Sequence, residues 1–275
     1  MKNLIAKVGT LALSAAMFVS CDSQENFAPQ NEVSDAVLAK VAAAGFDAHS
    51  VMKSEDGGYF VEGDIYLTDA TLNDLVAPKH LPGQEQYSTN NLVAAGGGRV
   101  ITMYAPTGRR GYSAAMIAGL DEAIKRYNDM NLSISFQRIS SSSADIVMTR
   151  LSKRDESRGV LGSAGFPTAA GDPHNEIKMS GVLESNYGLS TNGIATIIAH
   201  EMGHCIGFRH TDFYDRSISC GGSTANEGDG GVGANHIPGT PTTASLSAKS
   251  FMLACADGGD RPFNNDDKTA LNYLY

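Results

Sequence analysis

The chain has 275 residues, 42% of them hydrophobic and 19% charged, which is ample for one domain with its own core. Its net charge of −9 excludes a nucleic-acid binder, because neutralising phosphates needs clustered Lys and Arg, and Arg109-Arg110 is a pair rather than a patch.

Lys2 and Lys7 accompany an almost unbroken apolar run from Val8 to Val19 (VGTLALSAAMFV). That run is too short to cross a hydrocarbon core of ~30 Å as a helix, but it suits the apolar region of a signal peptide. Residues 1–20 are therefore read as a processing segment. The run ends in Phe18-Val19-Ser20-Cys21 before polar residues, which resembles a bacterial lipobox, although Phe18 and Val19 depart from the usual Leu-Ala. On that reading Cys21 carries lipid and begins the mature chain. The other reading is an ordinary secretory signal cut nearby, and both export the protein. Cys205, Cys220 and Cys255 then remain, which outside a reducing cytoplasm predicts one disulfide and one buried thiol. Cys220 and Cys255 flank one Gly-rich stretch and are the favoured pair, with the other pairings open.

Residues 22–35 read as a polar tether, and DAVLAKVAAAG from Ser34 to Gly45 as a capped helix with a glycine stop. Residues 58–67 (GYFVEGDIYL) read as an extended strand interrupted at Gly63. Pro78, Pro82, a polar run and Gly96-Gly97-Gly98 mark residues 77–98 as a linker between an N-terminal unit, 21–76, and the main domain, 99–275. The main domain opens with a strand at 99–104 and a helix over about 112–128, with Met116, Ile117, Leu120, Ile124 and Tyr127 at helical spacing. Strands follow at 133–139, 144–151 and 176–179. A central helix starts after Ser190, Thr191 or Asn192, and a terminal helix at Asn265-Asp266-Asp267. Strands precede the long helices without strict alternation, which is the α+β pattern.

The central helix carries His200-Glu201-Met202-Gly203-His204-Cys205-Ile206-Gly207-Phe208-Arg209-His210. Residues four apart share a helix face, so both imidazoles can reach one ion, and Glu201 is rotated beside it. Gly207 can end the helix in the left-handed conformation, turning the chain so that His210 returns as a third ligand. Three protein ligands leave a fourth position for water, as in catalytic zinc sites. HExxH alone arises by chance in about one sequence in a hundred, and adding Gly207 and His210 lowers this to on the order of one in 10⁵. His49, His80, His174 and His236 lack ligand spacing and read as surface or loop residues.

At these residues the chain resembles the metzincin metallopeptidases, and most of all the bacterial dual-action HEIGH metallopeptidases, with HEMGH in place of HEIGH. Thr211-Asp212, His236-Ile237-Pro238-Gly239-Thr240-Pro241 and the terminal ALNYLY strengthen the resemblance, which covers residues 99–275. It implies a metzincin-like domain with a twisted mixed sheet, two long helices and a C-terminal helix, and zinc in the cleft between upper and lower subdomains. It also implies a Met-containing turn under the zinc. Ser250-Phe251-Met252-Leu253-Ala254 fits, with Met252 beneath the imidazoles, and Ala254 stands where some metzincins carry a tyrosine ligand. Ala144–Leu151 resembles the edge strand that receives substrate by backbone pairing.

Val61-Glu62-Gly63-Asp64-Ile65 resembles the aspartate-switch segment of astacin-type prosegments, which would set Asp64 on the open zinc position; Phe60 sits one residue further from the glycine than in that pattern. The other reading of Asp64 is ordinary Gly-Asp turn chemistry. The expected function is an exported, monomeric zinc endopeptidase with Glu201 as general base, acting on proteins or peptides and kept latent by Asp64. It would be held on the outer membrane or cell surface by lipid at Cys21, or released after cleavage. The alternative is a surface lipoprotein whose zinc site is structural or degenerate and which binds a host or cell-wall ligand.

Overall fold

The computed structural model describes residues 33–74, 86–109, 111–246 and 249–275. The chain divides into two units, Met1–Asn31 and Glu32–Tyr275, and every described residue lies in the second. Cys21, the 1–20 segment and His80 fall outside the described residues.

The N-terminal part carries α1 (Asp35–Ala43), β1 (Met52–Lys53), β2 (Tyr59–Val61), β3 (Ile65–Leu67) and α2 (Asp69–Asp74). Ser34 caps α1, its hydroxyl accepting from Val37 N at 3.4 Å. The stretch expected as one interrupted strand is a hairpin: β2 and β3 pair antiparallel with Val61 opposite Ile65. Glu62 and Gly63 turn the chain at φ 56° and 94°, the left-handed backbone that tight turns use and that glycine adopts without a Cβ clash. Val41, Phe46, Tyr59, Val61, Ile65 and Leu67 close a small core of their own.

From Gln86 onward, the stretch expected as a linker is built into the body. In it β4 (Tyr87–Ser88) pairs antiparallel with β10 (Asn235–His236). Thr89 N donates to Gly207 O at 2.8 Å, and Arg209 N donates to Tyr87 O at 2.9 Å. Gln86 is fully buried, its amide on Asp267 Oδ1 at 2.6 Å. The polar composition that reads as a solvated linker is consumed instead in pairing with other polar loops.

The main part continues with β5 (Arg99–Tyr104), α3 (Ala114–Asn128), β6 (Ile134–Arg138), β7 (Ile146–Arg150), α4 (Lys153–Ser157), β8 (Gly162–Ser163) and β9 (Glu176–Met179). Then come α5 (Leu183–Tyr187), α6 (Thr191–Ile206), α7 (Ser217–Cys220) and, after β10, α8 (Asn265–Leu274). The sheet runs β6-β5-β7-β9-β8, with β8 antiparallel to β9 and the other neighbours parallel, so it is the mixed sheet of an α+β fold. The expectation that 144–151 is the edge strand is corrected here. β7 lies between β5 and β9, and the short β8 is the edge.

Ser113 caps α3, whose stripe of Met116, Leu120, Ile124 and Tyr127 is buried. Each such side chain, fully withdrawn from water, contributes about 1.5–3 kcal/mol. Tyr127 Oη donates to Ala199 O at 2.8 Å, joining α3 to the helix that carries the site. Cys220 and Cys255 form the disulfide, with Cα atoms 5.1 Å apart, and Cys205 is a buried free thiol.

Candidate metal centre

Ser190 starts α6 by accepting from Gly193 N at 3.2 Å, and every residue from Gly193 to Ile206 is buried. Such a helix is held by its surroundings on all sides, so its histidines are fixed in direction. Gly207 ends it at φ 108°, with Gly207 N donating to His204 O and Phe208 N to Gly203 O, both at 2.9 Å. A Cβ on Gly207 would also meet Leu92 Cδ2 at 2.8 Å. The chain then doubles back and brings His210 beside His200 and His204.

Each imidazole is oriented through Nδ1. That of His200 donates to Phe251 O at 2.8 Å, that of His204 to Phe208 O at 2.8 Å, and that of His210 to the Glu227 carboxylate at 2.9 Å. A proton on Nδ1 leaves the Nε2 lone pair free, and the three lone pairs converge. His200 Nε2 lies 3.0 Å from His204 Nε2, and Asp64 Oδ2 lies 3.2 Å from His200 Nε2 and 3.1 Å from His210 Nε2. Ligand atoms of Asp64, His200, His204 and His210 all lie within 4.8 Å of one another. Zn–N bonds of ~2.0–2.1 Å put tetrahedral ligands ~3.3 Å apart, so the donor set fits zinc. The second oxygen of Asp64 is buried without a partner, as is Glu201 Oε2, and such orphans point to a missing polar group.

Glu201 packs against the edge strand, its Oε1 2.5 Å from where a Cβ on Gly162 would stand. Burial, then Asp64, push its carboxyl well above the usual range. Burial opposes charge on both Asp64 and His210. Their mutual attraction outweighs it, holding Asp64 well below and His210, with Glu227 also beside it, well above the ordinary value. Burial and the neighbouring His200 drive His204 the other way.

Beneath the helix, Met252 is fully buried and its Sδ comes within 2.5 Å of a Cβ built on Gly203, so only glycine admits this contact. Thr211 N donates to Met252 O at 2.8 Å, and Asp212 Oδ1 accepts from Ala254 N at 2.9 Å, stitching the 250–254 turn to the chain after His210. Asp64 reaches the centre on the hairpin loop. Ala164 N donates to Asp64 O at 3.0 Å and Tyr66 N to Ala164 O at 2.9 Å, so the hairpin extends the sheet beyond β8. Arg209, fully buried, holds the hairpin from the other side: Nη2 meets Glu62 at 3.1 Å, and further bonds run to Asp229 O, Gly233 O and Gly228 O.

The structure thus brings His200, His204, His210 and Asp64 together, with Glu201 alongside and Met252 beneath. His49 is exposed and bonded to Asp47, His236 to Thr240, and burial pulls His174 down to about 4, none of them at the centre. Sequence reading does not single out Glu227, Arg209 or Glu62.

A family model described as dual-action HEIGH metallo-peptidase matches residues 59–275. No curated protein matches the chain. Among solved structures, one of myroilysin is similar at 13% identity and a TM-score of 0.40, covering 67% of this chain and 96% of that one. High choriolytic enzyme 1, a hatching enzyme zinc-protease from Oryzias latipes (medaka fish), is similar at 21% identity and a TM-score of 0.39, covering 67% of this chain and 93% of that one.

Proposed function

The chain belongs to the dual-action HEIGH metallopeptidase family, and from that premise we propose that it is an exported zinc endopeptidase made in latent form. As a member of the family it is a zinc metallopeptidase with peptide substrates. The observation that carries the finer reading is the convergence of three Nδ1-anchored imidazoles, with Glu201 beside them and the Asp64 carboxylate across the remaining side.

Zinc, when bound, acts as a Lewis acid that polarises a carbonyl and lowers the pKa of water to ~7. His200, His204 and His210 would hold it through Nε2, and Phe251 O, Phe208 O and Glu227 keep those rings aimed. The Glu201 carboxylate takes a proton from the attacking water and delivers it to the leaving amine. Ala164, directly after the edge strand β8, offers its backbone N–H and C=O to an extended peptide in the register that Asp64 and Tyr66 use with it.

Latency is supported by those same contacts. Asp64 fills the space a substrate carbonyl needs, and the hairpin occupies the strand edge that would bind the peptide. Since residues from Gln86 on are paired into the body, the activating cut falls within 77–85. Export is supported by the charged and apolar N-terminus and by the Cys220–Cys255 disulfide, which belongs to an oxidising compartment. Lipid on Cys21 would hold a monomeric enzyme at the cell envelope until that cut frees it.

The test is zinc analysis with a peptide-library digest of the full chain, intact and after a cut within 77–85. The reading requires about one zinc per chain in both forms and hydrolysis that rises sharply on cutting. Bound zinc with no hydrolysis in either form would favour a ligand-binding lipoprotein.

A further inference from the structure

Beside the metal centre lies a cavity of about 240 Å³. Leu161, Ile197 and Ala254 give it apolar walls, Arg216 and Arg261 are its cations, and His200, Glu201 and Asp64 close the end toward the metal. Arg261 is only 3% exposed. Its Nη1 donates to Cys255 O at 3.0 Å, its Nη2 meets Asp257 at 3.1 Å, and its Nε is buried with no partner. Arg216 reaches Glu227 through Nε at 3.0 Å, and its Nη2 lies 3.8 Å from Cys220 Sγ. One guanidinium therefore leans on each half of the Cys220–Cys255 disulfide, which holds both on a single cross-linked wall.

The charge balance of this cavity changes on activation. Asp64 leaves with the hairpin, and the Asp257 side chain is 46% exposed, so water screens its hold on Arg261. What remains over the apolar floor is Arg261, whose Nε has no partner, beside Arg216, whose Nε stays on the buried Glu227, with Glu201 at the metal end. A desolvated guanidinium gains most from a carboxylate, whose two oxygens match its fork, and gains little from an aliphatic group or an amide.

We propose that this cavity is a specificity pocket that takes the carboxylate side chain of an aspartate or glutamate next to the bond to be cut. The proposal rests on the peptidase reading above and names its substrate class.

The experiment uses the zinc-loaded full chain after a cut within 77–85, on peptides that differ only beside the scissile bond: Asp against Asn, Glu against Gln, with Leu and Lys as further members. The expected kcat/KM for the acidic peptide exceeds that of its amide isostere by about 10- to 100-fold. Arg261→Gln brings that ratio to near one, and Arg261→Lys restores part of it. Ala256→Asp, at an exposed position on the rim, keeps both arginines and takes the ratio below one if Arg261→Gln does not fold. Equal cleavage of acidic and amide peptides by the parent, or a ratio untouched by all three variants, overturns the pocket. Failure of the zinc-loaded parent to cut any peptide overturns the peptidase reading itself, and the pocket with it.

Discussion

Glu62 and Arg209 meet at 3.1 Å with neither side chain exposed. Glu62 stands two residues before Asp64, and Arg209 directly before His210. One buried ion pair thus ties the hairpin to the chain that carries the third histidine. Removing one partner of such a pair costs about 3–5 kcal/mol, because the other charge is left unpaired. Glu62→Ala should therefore loosen the hairpin and raise peptide hydrolysis by the uncut chain toward that of the cut form, with zinc content unchanged. A quenched fluorescent peptide reads this directly, and an unchanged low rate would refute the anchoring role.

Asp64→Ala separates the two parts of the proposed latency. The three histidines remain, so zinc binding persists. The carboxylate no longer competes for the open position, yet the bonds through Ala164 still cover the strand edge. The uncut variant should hydrolyse peptide faster than the uncut parent but slower than the cut parent. Equal rates for the uncut variant and the uncut parent would show that Asp64 is only a turn residue.

Glu227 is fully buried and accepts the Nδ1 proton of His210. Outer-shell partners of this kind are worth 10–100-fold in metal affinity. Glu227→Gln should weaken zinc binding by about that factor, measured by competition with a chelator, while the far-UV spectrum is retained. Zinc affinity equal to the parent would mean that the histidine is oriented without it.

Asp267 carries a pH dependence. Burial pushes its carboxyl up to about 6 from 3.8, although Gln86, Ser250, Phe251 N and Asn264 N all donate to it. Between pH 3.8 and about 6 the folded chain keeps a proton that the unfolded chain has lost. Its contribution is therefore fully present below the lower value and is lost as pH rises through the upper one, by about 3 kcal/mol at most. Asp267→Asn cannot titrate, so the stability difference between parent and variant should shift in the variant's favour as pH rises from 4 to 6. Urea midpoints across that range test it, and parallel curves would contradict it.

Much of this is legible in the sequence wherever the cause is local. Ser34, Ser113 and Ser190 cap their helices through bonds three residues away. The spacing of His200, His204, Gly207 and His210 follows from helix geometry and one left-handed residue. What escapes is what depends on distant chain. Glu227 meets His210 across 17 residues, and Glu62 meets Arg209 across 147, with no spacing to betray either. Gly203 must be glycine because of Met252, which no helical pattern announces. The edge strand β8 spans two residues, too few for any alternation to register, so the longer β7 is the natural but mistaken choice. Residues 86–94 read as a linker because their polar groups are satisfied by loops remote in sequence.

In the proposed mechanism Glu201 moves the proton while His200, His204 and His210 hold the metal. Glu201→Gln keeps the side chain's size beside Gly162 and removes the basicity. Zinc content and peptide hydrolysis should be measured together on the cut form of this variant and the parent. Zinc at the parent's level and a rate lower by about 10²–10⁴-fold are expected. Hydrolysis at the parent's rate with zinc bound would contradict that mechanism.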